Sequence, residues 1–176
     1  MKRIVCFIFY FLFSGNLFAS SLIDNVSKEE KKFSDWTVSC EEDEMMEKVN
    51  CKIFALFFNE NSSIYIQPNN KVANQVVIII PTAKEGSNIK FKVDQNALIS
   101  SDIIVKNDEY GIAPFSPSKQ KTMLNQIKVG QSLYIRFTVS DPQSANGEKE
   151  ITAKISLAEL PELLTYYDTR TGNNKK

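Results

Sequence analysis

The chain has 176 residues with 21 basic and 21 acidic side chains, a formal net charge of zero that gives no electrostatic footprint for nucleic acid. It contains no histidine, which removes Ser/His/Asp and Cys/His catalytic arrangements and the commonest metal ligand. Its glycines stand singly at Gly15, Gly86, Gly111, Gly130, Gly147 and Gly172, so no phosphate-cradling loop indicates a nucleotide cofactor.

Lys2 and Arg3, an apolar run from Ile4 to Phe13 and the looser Ser14-Gly15-Asn16 before Leu17-Phe18-Ala19 have the layout of a secretory signal peptide over residues 1–19. Ala19, Ser20 and Ser21 supply the small side chains a peptidase needs, and cleavage is expected after Ala19. The apolar run is about half the roughly 20 residues that span a bilayer, so no integral membrane span is expected after cleavage. Cys6 lies inside this run, not at the cut, which argues against lipidation.

Removing nineteen residues leaves 157, enough for one domain with a core. Loss of Lys2 and Arg3 leaves 19 basic against 21 acidic side chains, and the remaining lysines are scattered. Of the three cysteines only Cys40 and Cys51 remain, an even number in an oxidising compartment. A Cys40–Cys51 disulfide is expected, worth about 3 kcal/mol from the restricted unfolded chain. A redox pair would instead hold its thiols two residues apart at a helix start.

Residues 20–32 are polar with little periodicity and read as a flexible leader, with the ordered domain over 33–168. Trp36, Val38 and Cys40 then alternate with Thr37 and Ser39, the period of a half-buried strand. Cys51 to Phe58 is apolar on both faces apart from Lys52 and reads as a strand inside a sheet. Ser63–Ile66 is a short strand ended by Pro68 and Asn69-Asn70, and Val76–Ile80 is a β-branched run stopped by Pro81. After a turn at Glu85-Gly86, Ile89, Phe91 and Val93 alternate with Lys90, Lys92 and Asp94, and Ile103–Val105 makes another short strand.

The period then changes. Ser116 and Pro117 predict a helix start, Met123, Leu124 and Ile127 share one helical face, and Gly130 is expected as a left-handed stop. Alternation returns over Leu133–Val139 and Ile151–Ile155, joined through the turn residues Asp141-Pro142 and Asn146-Gly147 as a hairpin. Leu157–Tyr167 carries Pro161 and fits either a helical turn or an edge strand. The polar tail 169–176 reads as disordered. Many short strands without intervening helices predict an all-β sandwich with one short helix.

The opening Phe33-x-Asp35-Trp36-x-Val38-x-Cys40, followed by Cys51 and an apolar strand, resembles the first hairpin of the exported invasion-associated locus B (IalB) proteins of Gram-negative bacteria. Val77–Pro81, Gly86–Asp94, Leu124–Phe137 and the stretch from Leu157 are similar to later parts of that family. The chain departs from it where no second cysteine pair surrounds Asn107–Gly111 and where Glu159-Leu160 replaces a Gly-Phe. The resemblance implies an immunoglobulin-like sandwich, a periplasmic, secreted or outer-surface location and, in some members, a role in host-cell entry. It assigns no catalytic residue, cofactor or metal ligand.

Several constellations have plain structural readings. Ser116-x-x-Lys119 matches the nucleophile motif of penicillin-recognising enzymes, but its companion motifs are absent and Ser116 serves better as a helix cap. The acidic loop Glu41–Glu47, with Met45 and Met46, lacks the spacing of a calcium or copper site and reads as a solvated hairpin tip. Trp36 reads as a core plug on the disulfide, and Asp35 as a cap or hydrogen-bond partner of the neighbouring turn. Which of Tyr65, Tyr110, Phe115 and Tyr134 face water is left open by the sequence.

The expectation is therefore a non-enzymatic interaction protein. Its partner would be a protein or an envelope or host-surface component, with a housekeeping periplasmic accessory module as the alternative.

Overall fold

The computed structural model describes residues 26–43, 45, 47–68, 76–103, 105–107, 110–113 and 115–172. The expected signal peptide over residues 1–19 lies outside the described residues. The elements are β1 (Val26–Phe33), β2 (Trp36–Asp43), β3 (Lys48–Phe57), β4 (Ser62–Ile66), β5 (Val76–Ile79), β6 (Asn88–Val93), β7 (Ile99–Ile103), β8 (Val105–Asn107) and β9 (Tyr110–Ala113). Helix α1 (Pro117–Val129), β10 (Ser132–Ser140), β11 (Glu148–Ser156) and helix α2 (Leu160–Thr171) follow.

The strands form two antiparallel sheets, one ordered β1-β2-β3-β4-β5-β9-β8 and a smaller one ordered β11-β10-β6-β7. The all-β sandwich is thus the architecture, and the first five strands lie side by side in chain order. Alternation accounts for the packing of both layers. Val38, Ile53 and Ile66 share one row across β2, β3 and β4, while Ala55, Ile64 and Ile78 share another across β3, β4 and β5. All six are buried. From the smaller sheet Ile89, Phe91, Val93, Leu133, Ile135, Phe137 and Ile155 point into the same cluster. Phe137 closes the contact between layers by meeting Phe57 and Phe58 edge-on, at 6.3 and 5.3 Å between ring centres.

Two segments at the ends of the domain are more regular than expected. The segment read as a flexible leader contains β1, which pairs with β2 from Val26↔Asp43 to Phe33↔Trp36. Its residues 28–32 are exposed and charged, as suits an edge strand, because charge discourages further strand pairing. An edge strand of this kind carries no apolar alternation to reveal it. At the other end, of the two alternatives for Leu157–Tyr167 the helical one holds, as a full helix α2 that begins at Leu160. Pro161 falls in its first turn, where a missing N–H costs nothing, and Gly172 caps it in the left-handed region at φ 72°. The helix therefore extends to Thr171, into the stretch read as a disordered tail, and lays Leu160 and Leu163 into the core.

The first helix forms where expected and buries Met123, Leu124 and Ile127, with Gln120 beside them. Gln120 donates to the Phe115 carbonyl at 2.8 Å and accepts from the Val76 amide at 3.4 Å, which satisfies its buried amide. Gly130 corrects the expectation of a left-handed stop, since its φ is −84° and its backbone extended. A Cβ there would stand 2.2 Å from Val93 Cγ1, so glycine is required by close approach of the helix end to β6. Ile103 to Val105, expected as one strand, is the junction of β7 and β8, and β9 had no clear sequence signal.

Candidate binding face on the smaller sheet

Period-two alternation sends Leu133, Ile135 and Phe137 inward and leaves Tyr134 and Arg136 on the outer face of β10. The same alternation on β6 leaves Lys90 and Lys92 outward, and on β11 Thr152 and Lys154 are exposed. Register then assembles these side chains. Tyr134 lies between Lys92 on β6 and Lys154 on β11, and Arg136 lies between Lys90 and Thr152.

Lys90, Lys92, Tyr134, Arg136 and Thr152 line an open depression of about 400 Å³ together with Asp94, Gln95 and Leu98, while Lys154, opposite Tyr134 in register, is not part of its lining. Leu98 is 55% exposed. The Lys154 ammonium is 5.9 Å from the Tyr134 ring centre, at the outer limit of a cation–π contact. Arg136 Nε donates to Thr152 Oγ1 at 3.0 Å, which orients the guanidinium.

The charge balance of the face is basic. Glu150 is shared, with one oxygen 3.3 Å from Lys90 Nζ and the other 3.6 Å from an Arg136 nitrogen. Lys92 has no acidic partner among the described residues. Asp94 lines the same depression, with its carboxylate accepting the amides of Gln131 and Ser132 at 2.9 Å each. Four cations therefore stand around one tyrosine against two carboxylates, Glu150 and Asp94, a local excess of positive charge on a chain whose total charge is zero.

The residues singled out in the sequence lie elsewhere. Cys40 and Cys51 are directly opposite in register and form the disulfide, with 4.0 Å between their Cα atoms. Trp36 is buried as expected, but the Val38–Ile53 pair stands in the register between it and the disulfide. Its indole N–H donates to the Ser156 carbonyl at 2.8 Å. Asp35 does not cap its own turn: it accepts the Ser156 amide at 2.6 Å from the far end of the chain. Phe33 is buried against Tyr166 of α2, with 5.9 Å between ring centres. Phe33, Asp35 and Trp36 are thus a joint that fastens the first hairpin to the end of β11 and to α2.

Ser116 Oγ is within 3.2 Å of Ser118 Oγ and makes no side-chain cap bond, while Lys119 Nζ is 3.4 Å from Asp102. The acidic hairpin tip is solvated where it is described. Met45 is 85% exposed, Glu42 lies 3.7 Å from Arg170, and no cluster of metal-ligating side chains occurs among the described residues. Of the aromatics left open, Phe115 is buried while Tyr65 and Tyr134 are half-buried on outer faces. The side chain of Tyr110 lies outside the described residues.

Sequence alternation set Lys90 and Lys92 against the apolar residues of their strand, and left open whether Tyr134 faces water. It could not show that β10 lies between β6 and β11, which alone brings the cations around one ring.

The fold and this face define a two-sheet sandwich with an exposed basic surface. No family model, curated protein or solved structure matches the chain.

Proposed function

We propose that this chain is an exported, non-enzymatic interaction protein of the invasion-associated locus B type, which acts through the outer face of its smaller sheet. The observation that carries the binding role is the cluster of Lys90, Lys92, Arg136 and Lys154 around Tyr134. Clustered cations in an open depression attract and orient an anionic partner. They supply no positioned nucleophile with an adjacent base, the arrangement that nucleophilic chemistry needs. The layout of residues 1–19 and the cysteine pair support export, and the Phe33-x-Asp35-Trp36 joint supports the family reading, including a contribution to host-cell contact.

Protease treatment of intact cells, compared with cells whose outer membrane has been opened, tests where the protein acts. Digestion on intact cells is expected, because a host-contact role needs surface exposure. Protection until the outer membrane is opened would overturn that role and favour a periplasmic accessory module.

A further inference from the structure

We infer that the basic face binds a segment of an acidic saccharide chain, with Tyr134 as the ring on which one sugar stacks. The inference rests on the binding role of this face and adds the chemistry of its ligand. Neighbouring strands are about 4.8 Å apart, so Lys92 and Lys154 flank the Tyr134 ring on opposite sides at the same level. Two residues along, Arg136 and Lys90 form a second cationic row with the Thr152 hydroxyl at its end. A sugar offers an apolar C–H face to an aromatic ring and polar groups around its rim. Its sulfate, phosphate or carboxylate groups would then reach ammonium and guanidinium donors on either side.

The proportions of the face select this ligand over other polyanions. A single-stranded nucleic acid gains much of its affinity by stacking successive bases on successive aromatic rings, and this face presents one ring. A buried protein–protein contact is centred on a desolvated patch depleted of charge, whereas Tyr134 is surrounded by cations. A depression of about 400 Å³ lies towards the lower end of the range for small-ligand sites, so it holds a short segment of a chain.

Calorimetric titration of the full chain with a heparin-derived hexasaccharide tests the inference, with uncharged chitohexaose, hexaglutamate and a dodecamer of deoxythymidine as competing probes. The sulfated hexasaccharide is expected to bind best. Affinity should fall about tenfold in Tyr134→Ala, remain in Tyr134→Phe and fall at least about tenfold in Lys92→Glu. Glu150→Gln, which releases Lys90 and Arg136 from their shared carboxylate, should tighten binding by roughly threefold. Lys121→Glu on the exposed side of α1 should leave it unchanged.

The outcomes separate the two claims. Binding that survives Tyr134→Ala but is lost in Lys92→Glu, or equal binding of hexaglutamate or the thymidine oligomer, overturns the saccharide assignment and leaves the face. Binding of every probe unaffected by Lys92→Glu, or no binding of any, overturns the face as well. Thermal midpoints equal to the parent's exclude misfolding, and a variant that fails this check is replaced by Lys92→Gln.

Discussion

Asp35 and Ser156 are 121 residues apart and joined by a 2.6 Å hydrogen bond, in which the Ser156 amide donates to the Asp35 carboxylate. The neighbouring Trp36 takes the other half of the same residue, donating its indole N–H to the Ser156 carbonyl at 2.8 Å. Ser156 ends the edge strand β11, so these two groups face away from β10 and have no ladder partner. Asp35 in the β1–β2 turn and Trp36, the first residue of β2, satisfy both and fasten the two layers together. Removing the acceptor in Asp35→Ala should cost about 1–3 kcal/mol, and Trp36→Phe, which removes the donor and also leaves a cavity at a fully buried position, about 2–4 kcal/mol. Urea unfolding of the two single variants and the double variant should show coupling, since both act on one residue; strict additivity would refute the shared anchor.

The Cys40–Cys51 bridge closes a hairpin whose tip is exposed and acidic. Cys51→Ser should lower stability by about 3 kcal/mol, chiefly by releasing the unfolded chain. For a domain of this size that corresponds to a fall of roughly 6–12 °C in the thermal midpoint. An unchanged midpoint would show that the bridge has no structural role.

Gly130 is required by the position of Val93. Gly130→Ala should destabilise by about 1–3 kcal/mol, because the new methyl group would overlap Val93 Cγ1. Val93→Ala opens space there at the cost of a core cavity, so the double variant should be more stable than the sum of the two single losses. Additive losses in equilibrium unfolding would mean that the two positions do not compete for the same space.

Phe58, Asn59 and Glu60 follow one another with φ of 49°, 59° and 61°, a left-handed run without glycine. Phe58 is held by its edge contact with Phe137, but Glu60 is exposed. Glycine adopts this conformation freely, while an L residue with a Cβ incurs about 1–2 kcal/mol. Glu60→Gly should therefore raise stability by about 1 kcal/mol despite the greater freedom of its unfolded chain, as read from the denaturation midpoint. A loss of stability would place the dominant effect in the unfolded state.

Burial, and then the charge of Asp168, raises the Tyr167 pKa above its ordinary 10.0. Tyr166 is raised in the same direction, first by burial and then by its hydrogen bond to Glu29. A raised folded pKa means that the fold favours the neutral phenol. The resulting stability is fully present below pH 10 and is lost as pH rises through the higher folded values. Stability should accordingly fall in alkali, and Tyr167→Phe should flatten that fall. Phenolate absorbance measured during the same titration would contradict this reading if the Tyr167 signal developed below pH 10.

Sequence by itself determined the elements whose local pattern and burial agree. Alternating apolar residues mark β2, β6, β10 and β11 because one face of each is turned to the core. Ser116-Pro117 and the Met123, Leu124 and Ile127 face mark α1, and the cysteine count marks the bridge. The charged β1 was not legible, since an edge strand formed by pairing with β2 needs no apolar face. The full length of α2 was hidden because Pro161 suits a helix only when it falls in the first turn. Tertiary structure alone decided what Asp35, Trp36 and Gly130 do, because each acts on a group more than thirty residues away in the chain. It also decided the candidate binding face: Lys90, Lys92, Tyr134, Arg136 and Lys154 are ordinary outward residues of three strands until β10 pairs between β6 and β11. Alternation fixes which side of a strand a residue occupies, and only strand order and register fix its neighbours.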